Sequence, residues 1–98
     1  MYLVKVTLGS GATPIVIPQA NAGPIPPPTS FQSIIIGAAA HTVNVGDKNV
    51  TASAGGGVPI AVAGPALVIS PAQGYTCVLS EWFLAGTAAD VVPVIVIP

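Results

Sequence analysis

The sequence predicts an all-β chain, an antiparallel β-sandwich or jelly roll of about eight short strands. Two observations carry this. Eleven glycines and eleven prolines are scattered through 98 residues, and each disfavours a helix interior relative to Ala, by about 1 kcal/mol for Gly and about 3 kcal/mol for Pro. Between them, β-branched residues come in short runs bounded by Gly, Pro, Asn or Asp, the pattern of packed short strands. A chain of this length makes one domain, 1–98.

Tyr2–Leu8 alternates, with Leu3, Lys5 and Thr7 on one face and Tyr2, Val4, Val6 and Leu8 on the other. A Gly/Ser turn follows at 9–13. Ile15–Ile17 is a short strand between Pro14 and Pro18, which place it at a sheet edge. Within the Pro-rich stretch 18–30, residues 19–30 lack both periods, and Pro26-Pro27-Pro28 favours extended polyproline II. It is either an arm reaching a neighbour or a stiff loop. Further strands are expected at Ser33–Ile36, His41–Val45, Asn49–Ser53, Pro59–Val62, Ala66–Ser70, Thr76–Leu79, Trp82–Ala85 and Val91–Ile97. Pro93 makes the last an edge strand or a bulged one. Gly46-Asp47-Lys48-Asn49 has the turn chemistry of a tight hairpin joining Thr42–Val45 to Val50–Ser53, with Asp47 and Lys48 solvated at its tip.

Two basic and three acidic residues (Lys5, Lys48; Asp47, Glu81, Asp90) give a net charge of -1, and charged residues make up 5% of the chain against 52% apolar. Globular chains carry roughly 25% charged residues. A surface so poor in charge is weakly protected against association, so most of it is expected to be covered by partners. Nucleic acid is excluded as a direct partner, because phosphate binding needs several Lys or Arg. No uninterrupted apolar run approaches the ~20 residues of a spanning helix. The opening "MYLVKVTLGSGA" has its lysine inside the apolar run, a strand pattern rather than a signal peptide. A single cysteine, Cys77, forms no internal disulfide and is expected to pack as a small apolar residue.

No catalytic, cofactor or metal set emerges, and the chain is read as not an enzyme. Gly55-Gly56-Gly57 leads into Val58-Pro59-Ile60 with no following lysine or helix, unlike a phosphate loop. His41 is the sole histidine, and no nucleophile or orienting carboxylate can be assigned to it from the sequence. One His, one Cys and three scattered carboxylates lack metal-ligand spacing. Glu81 and Asp90 stand on different elements, without the polar and aromatic lining that glycoside chemistry needs. Asn49-Val50-Thr51 fits a glycosylation sequon, which has meaning only on a secretory route. Trp82 reads as core or interface packing in preference to a sugar platform.

From 34 to 97 the order of turns and strands is distinctive: "VNVGDKNVTAS", then a Gly-rich stretch and "VPIA", then a Gly/Pro turn into "LVIS", an aromatic strand, and "AGTAADVV" before a final apolar strand. This order resembles a group of small structural proteins of tailed bacteriophages. The resemblance implies a virion component, foremost a head decoration (cement) protein on the outer capsid surface. Such a protein, made in the host bacterial cytoplasm, is often a trimer and binds the major capsid protein. The alternative it implies is a tail or fibre component touching a host-surface glycan or protein, with Trp82, Phe83 and Tyr75 exposed. The candidate interaction residues are the arm Pro24, Ile25, Pro26, Pro27 and Pro28, the tip Asp47-Lys48, Trp82, and the carboxyl-terminal strand with Val94, Ile95, Val96 and Ile97.

Overall fold

The structure, a computed structural model, describes residues 1–18, 27–72 and 76–98. Pro24, Ile25, Pro26 and Tyr75 lie outside them. The fold is all-β and antiparallel, consistent with a β-sandwich. The strands are β1 (Tyr2–Thr7), β2 (Thr13–Pro14), β3 (Ser30–Phe31), β4 (Ser33–Ile36), β5 (Val43–Gly46), β6 (Val58–Ile60), β7 (Leu67–Ile69), β8 (Cys77–Val78), β9 (Phe83–Ala85) and β10 (Val91–Ile97). A 3₁₀ turn, Leu79–Glu81, precedes β9. One sheet runs β1-β10-β4-β7 and the other β2-β9-β5-β6, while β3 and β8 form a separate pair.

Alternation decides the first sheet. Val92, Val94 and Val96 of β10 are buried, as are Val4 and Val6 of β1 and Ile34 and Ile36 of β4. The register sets Val4 opposite Val94 and Val94 opposite Ile36, so one inward row crosses three strands. Val43, Val45, Ile60 and Leu84 of the second sheet join the same core cluster, together with Phe31, Ile15, Ile17 and Leu79. The two faces expected for β1 are the faces observed. The edge strand expected at Ile15–Ile17 is assigned to Thr13 and Pro14 instead, at an edge of the second sheet, and Ile15 and Ile17 are buried beside it. Both edge strands of the second sheet contain a proline, Pro14 in β2 and Pro59 in β6.

Two sequence expectations are corrected. Val91–Ile97 is an interior strand without a bulge, paired to β1 on one side and β4 on the other. Pro93 is tolerated because β4 ends at Ile36, and Gly37 lies where the next pair would be. The Gly37 N–H donates to the Pro93 carbonyl at 2.9 Å, and a Cβ on Gly37 would approach Pro93 Cγ to 2.9 Å. The ring occupies the space that a side chain at 37 would need.

Asn49–Ser53 is not a strand, and β5 does not turn back through a tight hairpin. It pairs instead with β6, Val45 opposite Val58, and 47–57 form a long loop between them. Asn44 drives this. Its neighbours Val43 and Val45 face the core, so Asn44 faces outward, yet it is only 4% exposed. Its Nδ2 donates to Thr51 O at 2.8 Å and to Ser53 O at 2.9 Å, drawing the loop across the outside of the sheet. Val50 and Ala85, opposite Asn44 on β9, are buried there outside the main cluster.

The triglycine belongs to this cover. Gly55 adopts φ +79°, a left-handed conformation that glycine holds without strain. A Cβ on Gly56 would meet Thr51 O at 2.6 Å, and one on Gly57 would meet Val45 O at 2.8 Å. These glycines allow backbone to lie against backbone.

Candidate functional site

The 3₁₀ turn Leu79–Glu81 separates two depressions. Pairing of β5 with β9 sets Gly46 opposite Phe83, so the residues leaving β5 and those entering β9 meet at one end of the sheet. Asp47, Lys48, Ser80, Glu81 and Phe83 line a surface depression of about 390 Å³ there. Three of the chain's five charged side chains (two basic plus three acidic in all) therefore share one site. Asp47 Oδ1 accepts from the Asn49 N–H at 2.8 Å, and Val50 N–H donates to the Asp47 carbonyl at 3.0 Å. Asp47 thus shapes the loop as well as charging its rim.

On the other side of Ser80 is an apolar cleft of about 210 Å³. Ile15, Ile17 and Leu79 are the buried members of its lining, and Pro14, Val16, Pro27 and Pro28 complete its apolar walls. Leu79 N–H donates to Thr29 O at 2.9 Å and Ile15 N–H to Trp82 O at 3.2 Å, which fix the turn between the segments it separates. Small-molecule sites usually run from about 300 Å³ upward, so this cleft suits one or two inserted apolar side chains. An apolar cleft thus lies beside a charged depression.

Of the residues singled out from sequence, Pro27, Pro28, Asp47 and Lys48 come together around this turn. Trp82 is half-buried and packs edge-on against Phe31, with ring centroids 6.3 Å apart and planes at 62°. Phe83 is half-buried as well. Val94 and Val96 are core residues, and their candidacy as interaction residues is corrected; Ile95 and Ile97 point to the opposite face of the first sheet. Glu81 and Ser80 were missed as partners of Asp47 and Lys48, because only the β5–β9 register brings them together.

His41 Nδ1 lies 2.7 Å from Asp90 Oδ2, a contact joining the approach to β5 with the approach to β10. The carboxylate that the sequence could not assign to His41 is therefore Asp90. The His41 side chain is 60% exposed, and among the described residues Asp90 is its hydrogen-bond partner. The Asp90 carboxylate orients the His41 imidazole through this contact. Cys77 is half-buried, unpaired with another cysteine, and packs against the core cluster. Among the described residues no three of His, Cys, Asp or Glu group together as metal ligands, and no helix is long and apolar enough to cross a membrane.

No family model, no curated protein and no solved structure matches the chain.

Proposed function

We propose that this chain is a virion structural protein of a tailed bacteriophage, a head decoration protein that binds and stabilises the assembled shell of major capsid protein. In this reading it is made in the bacterial cytoplasm, works as a homo-oligomer on the outer capsid surface and has no catalytic role. Jelly-roll connectivity and a Pro-rich arm at 18–30 belong to the same reading. Its action is mass action: a protein that binds only the assembled shell raises shell stability, and linked copies add effective concentration.

The observation that carries the proposal is the pair of depressions around Leu79–Glu81, an apolar cleft and a charged rim sharing Ser80. A chain with 5% charged residues that gathers three of them beside its apolar cleft is equipped to dock on protein in one orientation. The tail or fibre reading draws less support, because Trp82 packs on Phe31 instead of offering a flat aromatic platform.

Immunogold labelling of purified virions tests the proposal. Gold over the head supports it, gold confined to the tail transfers the chain to the fibre reading, and unlabelled particles overturn the virion reading. Glu81→Lys adds a site-level test: co-sedimentation with assembled shells is expected to fall at least tenfold, and unchanged binding removes the Leu79–Glu81 surface from the docking role.

A further inference from the structure

The rims of the two four-stranded sheets differ in what they offer an incoming strand. The outermost strands are β1 and β7 in the first sheet and β2 and β6 in the second. β2 and β6 each contain a proline, Pro14 and Pro59. β7 is three residues long, and Pro65 and Pro71 stand two positions beyond its ends. β1 is six residues long and contains no proline, and its Lys5 and Thr7 are exposed. A strand rim of this length without such a block is a template for pairing with another chain.

Pro93 fixes which β1 groups face outward. In an antiparallel ladder, successive residues turn their N–H and C=O groups alternately toward one neighbouring strand and away from it. The Pro93 carbonyl accepts from the Gly37 N–H, on the β4 side. Pro93 therefore makes no bond to β1, and Lys5 opposite it turns its N–H and C=O away from β10. Leu3 and Thr7, two positions to either side, turn the same way. Leu3 has a partner of its own. The N–H and C=O groups of Lys5 and Thr7 have none among the described residues. They stand in strand spacing along a solvent-facing rim.

We infer that this rim binds an extended segment of a different protein chain, added to the sheet as a strand, with an acidic residue opposite Lys5 and aliphatic residues flanking it. Unpaired backbone groups in strand spacing are matched by another extended backbone, which sets the class of ligand. Lys5 sets its charge. It is the one charged residue in the four strands of this sheet, and opposite charges directly across a strand pair attract. The flanking residues of the added strand fall on the inner side of the sheet, in line with the buried Val4 and Val6, where aliphatic side chains extend the inward row.

A second copy of β1 fits the rim less well. Joined antiparallel through the groups of Lys5 and Thr7, two copies set Lys5 opposite Lys5, like charges face to face, or opposite Thr7, which carries no countercharge. A lone lysine on a rim thus turns away its own kind and selects an acidic strand. The rim is separate from the Leu79–Glu81 surface used in shell binding and does not depend on what that surface binds.

Amide exchange in the isotope-labelled full chain, followed by NMR with a capped Thr-Val-Glu-Val-Thr peptide as the probe, is the test. Without peptide, the Lys5 and Thr7 amides are expected to exchange freely, and saturating peptide should slow both at least tenfold. Thr7→Pro removes one rim N–H and no bond to β10, and should raise the peptide dissociation constant at least tenfold. The same peptide with lysine in place of glutamate should bind the wild-type protein at least threefold more weakly, and Lys5→Glu should reverse that preference. Should Thr7→Pro fail to fold by circular dichroism, the reversal in Lys5→Glu decides the matter. Lys5 and Thr7 amides already protected without peptide overturn the inference, because the chain itself or a second copy then covers the rim. No binding at millimolar peptide, binding indifferent to Thr7→Pro in the folded variant, or equal affinity for the two peptides also overturns it. Glu81→Lys should leave peptide binding unchanged, so its effect on shell binding bears on the other surface alone.

Discussion

The two four-stranded sheets meet the outside in opposite ways. On the β2-β9-β5-β6 sheet, the loop 47–57 lies over the outward residues of β5 and β9, held by the two bonds from Asn44. On the β1-β10-β4-β7 sheet, Leu3, Ile95, Ile35 and Val68 form an aliphatic row, and Leu3 and Val68 at its ends are exposed. The difference lies in the residue at the centre of each outer face. Asn44 offers an amide whose two donors must be satisfied once covered, so it organises a loop that presents carbonyls to it. Ile35 offers nothing that loop backbone could bond to, and covering it requires another apolar surface. A polar centre recruits local chain; an apolar centre is left uncovered by the described residues.

Val50 and Val68 test this contrast most sharply. Both are valines belonging to the outer sides of the sheets, one buried under the cover and one in the open row. Val50→Lys would bury an unpaired ammonium or tear the loop away, and is expected to lower stability by about 3 kcal/mol or more in urea unfolding. Val68→Lys should stay within about 0.5 kcal/mol of the wild-type protein in the same experiment. Equal effects would erase the distinction between the faces.

Asn44→Ala comes next. It leaves the carbonyls of Thr51 and Ser53 without their side-chain donor, at an expected cost of about 2 kcal/mol. Amide exchange should speed up in 49–57 first; uniform acceleration across the chain would mean that the loop is no separable cover.

Gly37→Ala is expected to cost about 1–2 kcal/mol through its contact with the Pro93 ring, and much less in a Pro93→Ala background. Additive effects would dismiss the steric account of the proline inside β10. The smallest change is His41→Ala, at no more than about 1 kcal/mol, because the His41 side chain is 60% exposed. A larger loss by thermal unfolding would make the His41–Asp90 contact a principal tie between the sheets.

What was legible in the sequence follows the same physics. β1, β4 and β10 alternate strictly and lie in one sheet with a clean inner face, so period-2 reading finds them with their faces. Thr42–Val45 alternates just as well, but alternation reports only that Asn44 is opposite the core. It does not distinguish an asparagine facing water from one facing its own loop. The available signal was the triglycine, since consecutive glycines with no left-handed turn of their own at 56 and 57 point to close backbone approach. Pro93 misleads because the rule against proline in interior strands assumes regular pairing on both sides, whereas pairing with β4 ends at Ile36 and Gly37, with no side chain, leaves room for the ring. The surface around Leu79–Glu81 is half legible: Pro27, Pro28, Asp47 and Lys48 stand out as turn and loop residues, but Ser80 and Glu81 join them only through a pairing between segments more than thirty positions apart.

The prolines in β2 and β6 have a bearing on how such a protein stays in solution. Most chains keep sheets from growing strand upon strand by placing charges along the outermost strands. This one, with 5% charged residues, has Pro14 and Pro59 there, each subtracting an N–H from the rim that an incoming strand would need. Fibre-like growth along that sheet is hindered by ring geometry, which, unlike charge repulsion, salt does not screen. The chain can thus be sticky across its flat surfaces at high ionic strength while remaining unable to zip into ribbons from this rim.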